Sequence, residues 1–148
     1  LTRVTAPFSQ QAWNKVWSNE RQTDEILAKL NVKDYPIKLA SNGAITERWL
    51  LLFKTDAQFD VIGENLGLIA TSDRLTDLAP PNPATGQPYF TLPKGAFGGG
   101  WMSGNCIRFN TFSSQMPTWV LRAVQPSPVA QTGKDGFTMC LRGNTVDK

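Results

Sequence analysis

Acid–base and metal chemistry have few side chains to draw on in this sequence. Its 148 residues include no histidine, the group most often used to move protons near neutral pH. A serine or threonine nucleophile therefore lacks its usual base. Carboxylates occur at Asp56, Asp60, Glu64, Asp73 and Asp77, and glycoside hydrolysis would need two of them held a few ångströms apart. Asp73 and Asp77 flank a loop entrance and read instead as turn formers. No stretch follows the EF-hand pattern, and Cys106 and Cys140 lie outside any zinc-ligand spacing. Neither a metal nor a cofactor is expected. The run Gly98-Gly99-Gly100 precedes Trp101 with no Lys-Ser or Lys-Thr and no helical pattern after it, so backbone freedom explains it better than a phosphate cradle. Each cysteine opens a similar triplet, Cys106-Ile107-Arg108 and Cys140-Leu141-Arg142, and both are expected to be free, buried thiols. A binding or assembly role stands ahead of an enzymatic one.

Residues 82–122 interleave glycine, proline and aromatic side chains at a density that suits shaped loops on a β scaffold. Tyr89, Phe97 and Trp101 are the candidate contact rings there, whereas Trp49 and Trp119, flanked by apolar neighbours, belong to the core. Arg48, Arg108, Arg122 and Arg142 each fall inside a strand-like run. A strand arginine usually stands on a solvated or interface face, so the four could form a polar stripe toward a neighbouring subunit.

Two periodicities divide the chain that must position these groups. Phe8, Ala12, Trp13, Val16 and Trp17 recur at spacings of three and four, which predicts an amphipathic helix whose Trp13 and Trp17 are available to a partner. Thr23 is placed to cap a second helical stretch with Ile26, Leu27 and Leu30 on one face. Residues 1–34 are thus expected to form a helical segment, and residues 35–148 a β domain. Residues 37–40 and 45–55 flank Asn42-Gly43, the turn pair of a tight hairpin. A second hairpin is expected from 59–62 and 66–71 around 63–65. Trp49-Leu50-Leu51-Leu52-Phe53 is apolar on both faces, which predicts a central strand covered on each side. Pro80, Pro81, Pro83 and Pro88 make 75–88 a long loop. Further strands are expected over 89–92, 106–112, 119–124 and 137–141, with Ile107 and Phe109 alternating against Cys106, Arg108 and Asn110. Some eight short strands, roughly, favour a mainly β fold, an antiparallel β-sandwich of jelly-roll type with the N-terminal α-helical segment attached.

Composition bounds the rest. With 41% hydrophobic and 18% charged residues the chain is an ordinary folded one, long enough for a single core. The net charge of +3 comes from 15 basic residues that are scattered rather than clustered, so no nucleic-acid partner is expected. No apolar run is long enough for a membrane span, and polar residues separate Trp13 from Trp17 where a signal-peptide core would be continuous.

Ile45-Thr46-Glu47-Arg48-Trp49, Asn82-Pro83-Ala84-Thr85-Gly86-Gln87-Pro88-Tyr89-Phe90, Gly100-Trp101, Gly104-Asn105, Phe109-Asn110-Thr111, Pro117-Thr118-Trp119-Val120-Leu121-Arg122 and Arg142-Gly143 follow one another over residues 45–143. In that order they resemble a group of tailed-bacteriophage virion structural proteins. The shared residues are those of strands and turns, without a catalytic signature, and the N-terminal part lies outside them. The resemblance implies a non-enzymatic subunit of the particle, tail- or baseplate-associated and present in several symmetric copies. Its partners would be other virion proteins and copies of itself, assembled into the virion in the host cytoplasm. An alternative is a carbohydrate- or receptor-binding β-sandwich that recognises a host-surface glycan or receptor with Trp101 and Tyr89 as stacking platforms. A hydrolase working through paired carboxylates ranks last.

Overall fold

The computed structural model describes residues 2–114, built around one antiparallel sheet. Its strands are β1 (Thr2–Val4), β2 (Phe8–Gln10), β3 (Glu47–Phe53), β4 (Gln58–Gly63), β5 (Gly67–Asp73) and β6 (Cys106–Ser113). They lie in the order β1-β6-β3-β4-β5, with β2 also paired to β6. β3 occupies the middle, as its two-sided apolar sequence requires. The expected second hairpin is present as β4 and β5, and Gly67 supplies the positive φ of 72° at its turn. The strands expected over 119–124 and 137–141 lie outside the described residues, as do Trp119, Arg122, Cys140 and Arg142.

Register sets the two faces. Trp49 stands opposite Phe109 and Gly63, and Leu51 opposite Ile107 and Val61, so Trp49, Leu51, Phe53, Phe59, Val61, Ile107 and Phe109 share one buried face. Residues 26–39 and 75–101 cover that face. Prolines withhold the donors a continuous ladder needs, and these loops are tied instead by isolated bridges. Lys38 and Thr91 exchange two hydrogen bonds of 2.9 and 2.8 Å, Leu78 and Leu92 do the same at 2.9 and 2.8 Å, and Asn31 N donates to Ala96 O at 2.8 Å. The residues expected as a strand over 89–92 make only such bridges. Aromatic rings fill the space between sheet and loops. Phe53 stacks on Trp101 with centroids 4.5 Å apart, Phe59 on Phe97 at 5.4 Å, and Trp49 meets Phe90 edge-on at 5.1 Å.

Two expectations fail for local reasons. The N-terminal segment is not helical; among the described residues the only helix is a single 3₁₀ turn at Lys94–Ala96. Phe8 enters β2, Lys15 takes a φ of 66° that no α-helix accommodates, and side chains capture the backbone: Val16 N donates to Asn14 Oδ1 at 3.1 Å and Glu20 N to Ser18 Oγ at 3.0 Å. Thr23, the expected cap, sends its hydroxyl to Ala12 O at 3.1 Å. The Asn42-Gly43 hairpin is absent as well. Lys38 pairs with Thr91, β3 pairs with β4 and β6, and neither Asn42 nor Gly43 has a positive φ. Gly43 serves close approach, since a Cβ there would collide with Pro88 O while Asn82 Nδ2 donates to Gly43 O at 3.0 Å.

Glu47, only 3% exposed, fastens the β4–β5 turn to β3. Its carboxylate accepts from Arg48 N at 2.9 Å, Asn65 Nδ2 at 3.0 Å, Asn65 N at 3.1 Å and Leu66 N at 3.2 Å. Truncation would strand these donors against buried surface. Glu47→Ala is expected to lower the unfolding free energy by about 3 kcal/mol, measured by urea denaturation, and a loss below about 0.5 kcal/mol would show that the turn does not need the carboxylate.

Candidate functional site

On the sheet face away from the aromatic core, Arg48, Arg108 and Asn110 project from neighbouring strands β3 and β6. The topology does bring Arg48 and Arg108 to one face, as the stripe reading expected. That face meets the chain's own N-terminal segment, however. Residues 11–24 form a loop closed at its base, where Gln11 N donates to Asp24 O at 2.9 Å and Gln22 N to Gln10 Oε1 at 3.0 Å. The loop bends over the sheet and three consecutive residues are held: Arg48 Nη1 donates to Trp17 O at 3.2 Å, Arg108 Nη2 to Ser18 O at 3.0 Å, and Asn110 Nδ2 to Asn19 Oδ1 at 2.9 Å.

Arg108 is 1% exposed. Its Nη1 donates to the carbonyls of Trp49 and Phe109, and its guanidinium lies 4.8 Å from the Trp17 ring centroid. Burial, then the neighbouring Arg48, lowers its pKa to about 10, with Glu64 and Cys106 pulling the other way; it stays charged near neutrality. Cys106 shares this face as a free, buried thiol. Burial pushes it up to about 11 against the opposing pull of Arg108 and a hydrogen bond with Gln10, so it is no nucleophile at neutral pH.

Among the described residues, the expected contact residues are therefore mostly internal. Tyr89, Phe97 and Trp101 are buried, Trp101 to 2% exposure, and serve as the second wall of the aromatic core. Trp13 and Trp17 are half-buried and pack edge-on at 5.1 Å. Arg108 holds the chain's own loop. Carboxylates are likewise engaged in structure. Asp60 accepts from Thr71 Oγ1 at 2.7 Å and pairs with Lys54 at 2.9 Å, Asp73 accepts from Leu75 N at 2.8 Å, and Asp77 from Lys94 N at 2.9 Å. Glu47 and Glu64 do line one cleft of about 280 Å³ with Arg48 and Asn110. Glu47 is saturated by donors and Glu64 pairs with Arg48 at 3.3 Å, so this pair is committed to holding the fold.

A second cleft, of about 440 Å³, lies between the base of the 11–24 loop and the turn after Trp101. Ile26, Leu27, Gly100 and Met102 give it apolar walls, and Gln11, Ser103 and Asn105 a neutral polar rim. Leu27 is 97% exposed and Met102 68%. The turn beneath is fixed: Met102 N donates to Asn105 Oδ1 at 2.9 Å, Asn105 Nδ2 to Gln11 O at 3.1 Å, and Gly100 and Gly104 hold φ values of 94° and 93°. Gly100, Met102 and Ser103 fall in the Gly/Pro-rich stretch expected to carry contact loops, whereas Leu27, expected on a helix face, gives no such signal in the sequence. Among the described residues no group of three His, Cys, Asp or Glu comes together to hold a metal ion. Comparison with protein-family models, curated proteins and solved structures finds no match.

The Cys106 thiol gives a signed pH dependence. Its folded pKa of about 11 exceeds the ordinary 9.0, so the folded state keeps the proton longer. Its contribution to stability is complete below pH 9 and is lost as pH rises toward 11. Relative to Cys106→Ala, the wild-type protein is expected to lose roughly 2–3 kcal/mol across that window, measured by urea denaturation at a series of pH values; parallel curves for the two proteins would refute this.

Proposed function

We propose that the protein is a non-enzymatic structural subunit of a tailed-phage virion, tail- or baseplate-associated, acting through protein–protein contacts. The ordered motifs over residues 45–143 support the particle assignment. A single observation supports the mode of action: Leu27 and Met102, both strongly exposed, stand at one uncharged apolar cleft on a fixed turn. Burying such a side chain is worth about 1.5–3 kcal/mol, a gain the isolated chain forgoes. A pre-set turn also loses little conformational freedom on association. The glycan-binding alternative has lost its residues, because Trp101 and Tyr89 stack inside the core and offer no platform to a sugar.

Quantitative mass spectrometry of gradient-purified particles of a tailed phage encoding this chain tests the reading. The chain is expected at a fixed copy number per particle. Leu27→Glu and Met102→Glu, both soluble and folded because their side chains are exposed, are expected to be incorporated at least about tenfold less. Absence of the wild-type chain from particles, or full incorporation of both variants, would overturn it.

A further inference from the structure

We infer that Arg48 and Arg108 form a latent site for an oxyanion, a carboxylate or a phosphate, which the chain's own 11–24 loop covers; this goes beyond the assembly reading and does not depend on it. The two guanidinium groups rise from neighbouring strands on one sheet face, Arg48 opposite Asn110 and Arg108 opposite Leu50. Nε and Nη2 make the edge of a guanidinium that grips two oxygens of one anion. In Arg108 that edge is poorly used: Nη2 reaches only the neutral oxygens Ser18 O and Asn110 Oδ1, and the buried Nε finds no hydrogen-bond partner among the described residues. Arg48 commits Nη1 alone, to Trp17 O and to Glu64. Two fixed cations thus spend most of their capacity on uncharged acceptors that a single loop supplies.

The cover is lightly held. Most of residues 11–22 are exposed, hydrogen bonds from Arg48, Arg108 and Asn110 clasp the loop to the face, and Lys15 sits at a φ of 66° that a lysine rarely adopts. A segment with so few buried contacts opens far more readily than the whole fold. An anion that replaces Trp17 O and Ser18 O supplies the compensation the loop otherwise gives. Glu64, paired with Arg48 at 3.3 Å, competes with it, whereas Glu47 alternates to the Trp49 face and spends its carboxylate on the β4–β5 turn. Free anions therefore bind weakly, since they must displace the loop as well.

Nuclear magnetic resonance of the Arg108 Nε proton provides the test, with the full chain titrated separately with sodium phosphate and sodium succinate at an ionic strength held constant by sodium chloride. A saturable downfield movement is expected with at least one of them, and the one that produces it names the anion. Trp17→Ala, which strips the ring from the cover, is expected to bind that anion at least about tenfold more tightly than wild type, and adding Arg48→Gln to it is expected to lose at least about tenfold. A response that appears only in Trp17→Ala would uphold the covered site. No saturable movement in either protein, a movement that chloride reproduces, Trp17→Ala binding no tighter than wild type, or Arg48→Gln without effect in that background would overturn the inference.

Discussion

A buried guanidinium decides which parts of this molecule meet solvent. Removing the Arg108 charge from water costs several kcal/mol, and among the described residues no carboxylate hydrogen-bonds to it. The compensation comes from carbonyls of Trp49, Phe109 and Ser18, from Asn110 Oδ1 at 3.4 Å, and from the Trp17 ring. Hydrogen bonds to a charged group contribute about 1.5–3 kcal/mol each and a desolvated cation–π contact about 2 kcal/mol, which together offset the cost although Arg108 Nε, also buried, finds no hydrogen-bond partner among the described residues. Two of those partners, Ser18 and Trp17, belong to the 11–24 loop. The charge is tolerable only while that loop is in place, and Arg108 in turn holds the loop together with Arg48 and Asn110.

Closure of that face leaves one sheet covered on both sides without a second sheet among the described residues. Pinned loops and stacked rings wall the other face, and their hydrogen bonds run across long sequence separations: Lys38 to Thr91, Lys29 to Gly98, Asn31 to Ala96. Irregular backbone is stable here because it is paired at intervals, even though proline prevents a continuous ladder. With the rings turned inward, recognition passes to the outer side of the same loops, where Leu27 and Met102 emerge next to residues fixed by Asn105.

How much of this was legible in the sequence follows from which interactions are local. The alternation of Ile107 and Phe109 against Cys106, Arg108 and Asn110, and the two-sided apolar run of β3, are period-two signals, and they located the sheet. The hairpin of β4 and β5 was legible too, since its turn is short. The tryptophan stripe misled because a helical spacing says nothing of non-local partners: Ala12 and Val16 on that stripe are exposed, and the segment is held instead at the consecutive residues Trp17, Ser18 and Asn19. Only the long-range partners Arg48, Arg108 and Asn110 distinguish this loop from a helix. Asn42-Gly43 misled because its tight backbone serves a contact with Asn82 and Pro88, some forty residues away. Burial of Tyr89, Phe97 and Trp101 was equally non-local: a ring in a Gly/Pro-rich loop reads as exposed until Phe53, Phe59 and Trp49 are known to stand opposite.

The clasp between Arg108 and the 11–24 loop is tested most directly by nuclear magnetic resonance of the arginine side chains. Guanidinium protons of Arg108 should be protected from exchange with water and shifted upfield by the Trp17 ring, and Trp17→Ala should remove the upfield shift. Resonances at ordinary solvent-exposed positions, exchanging freely and indifferent to that substitution, would show that no such clasp exists.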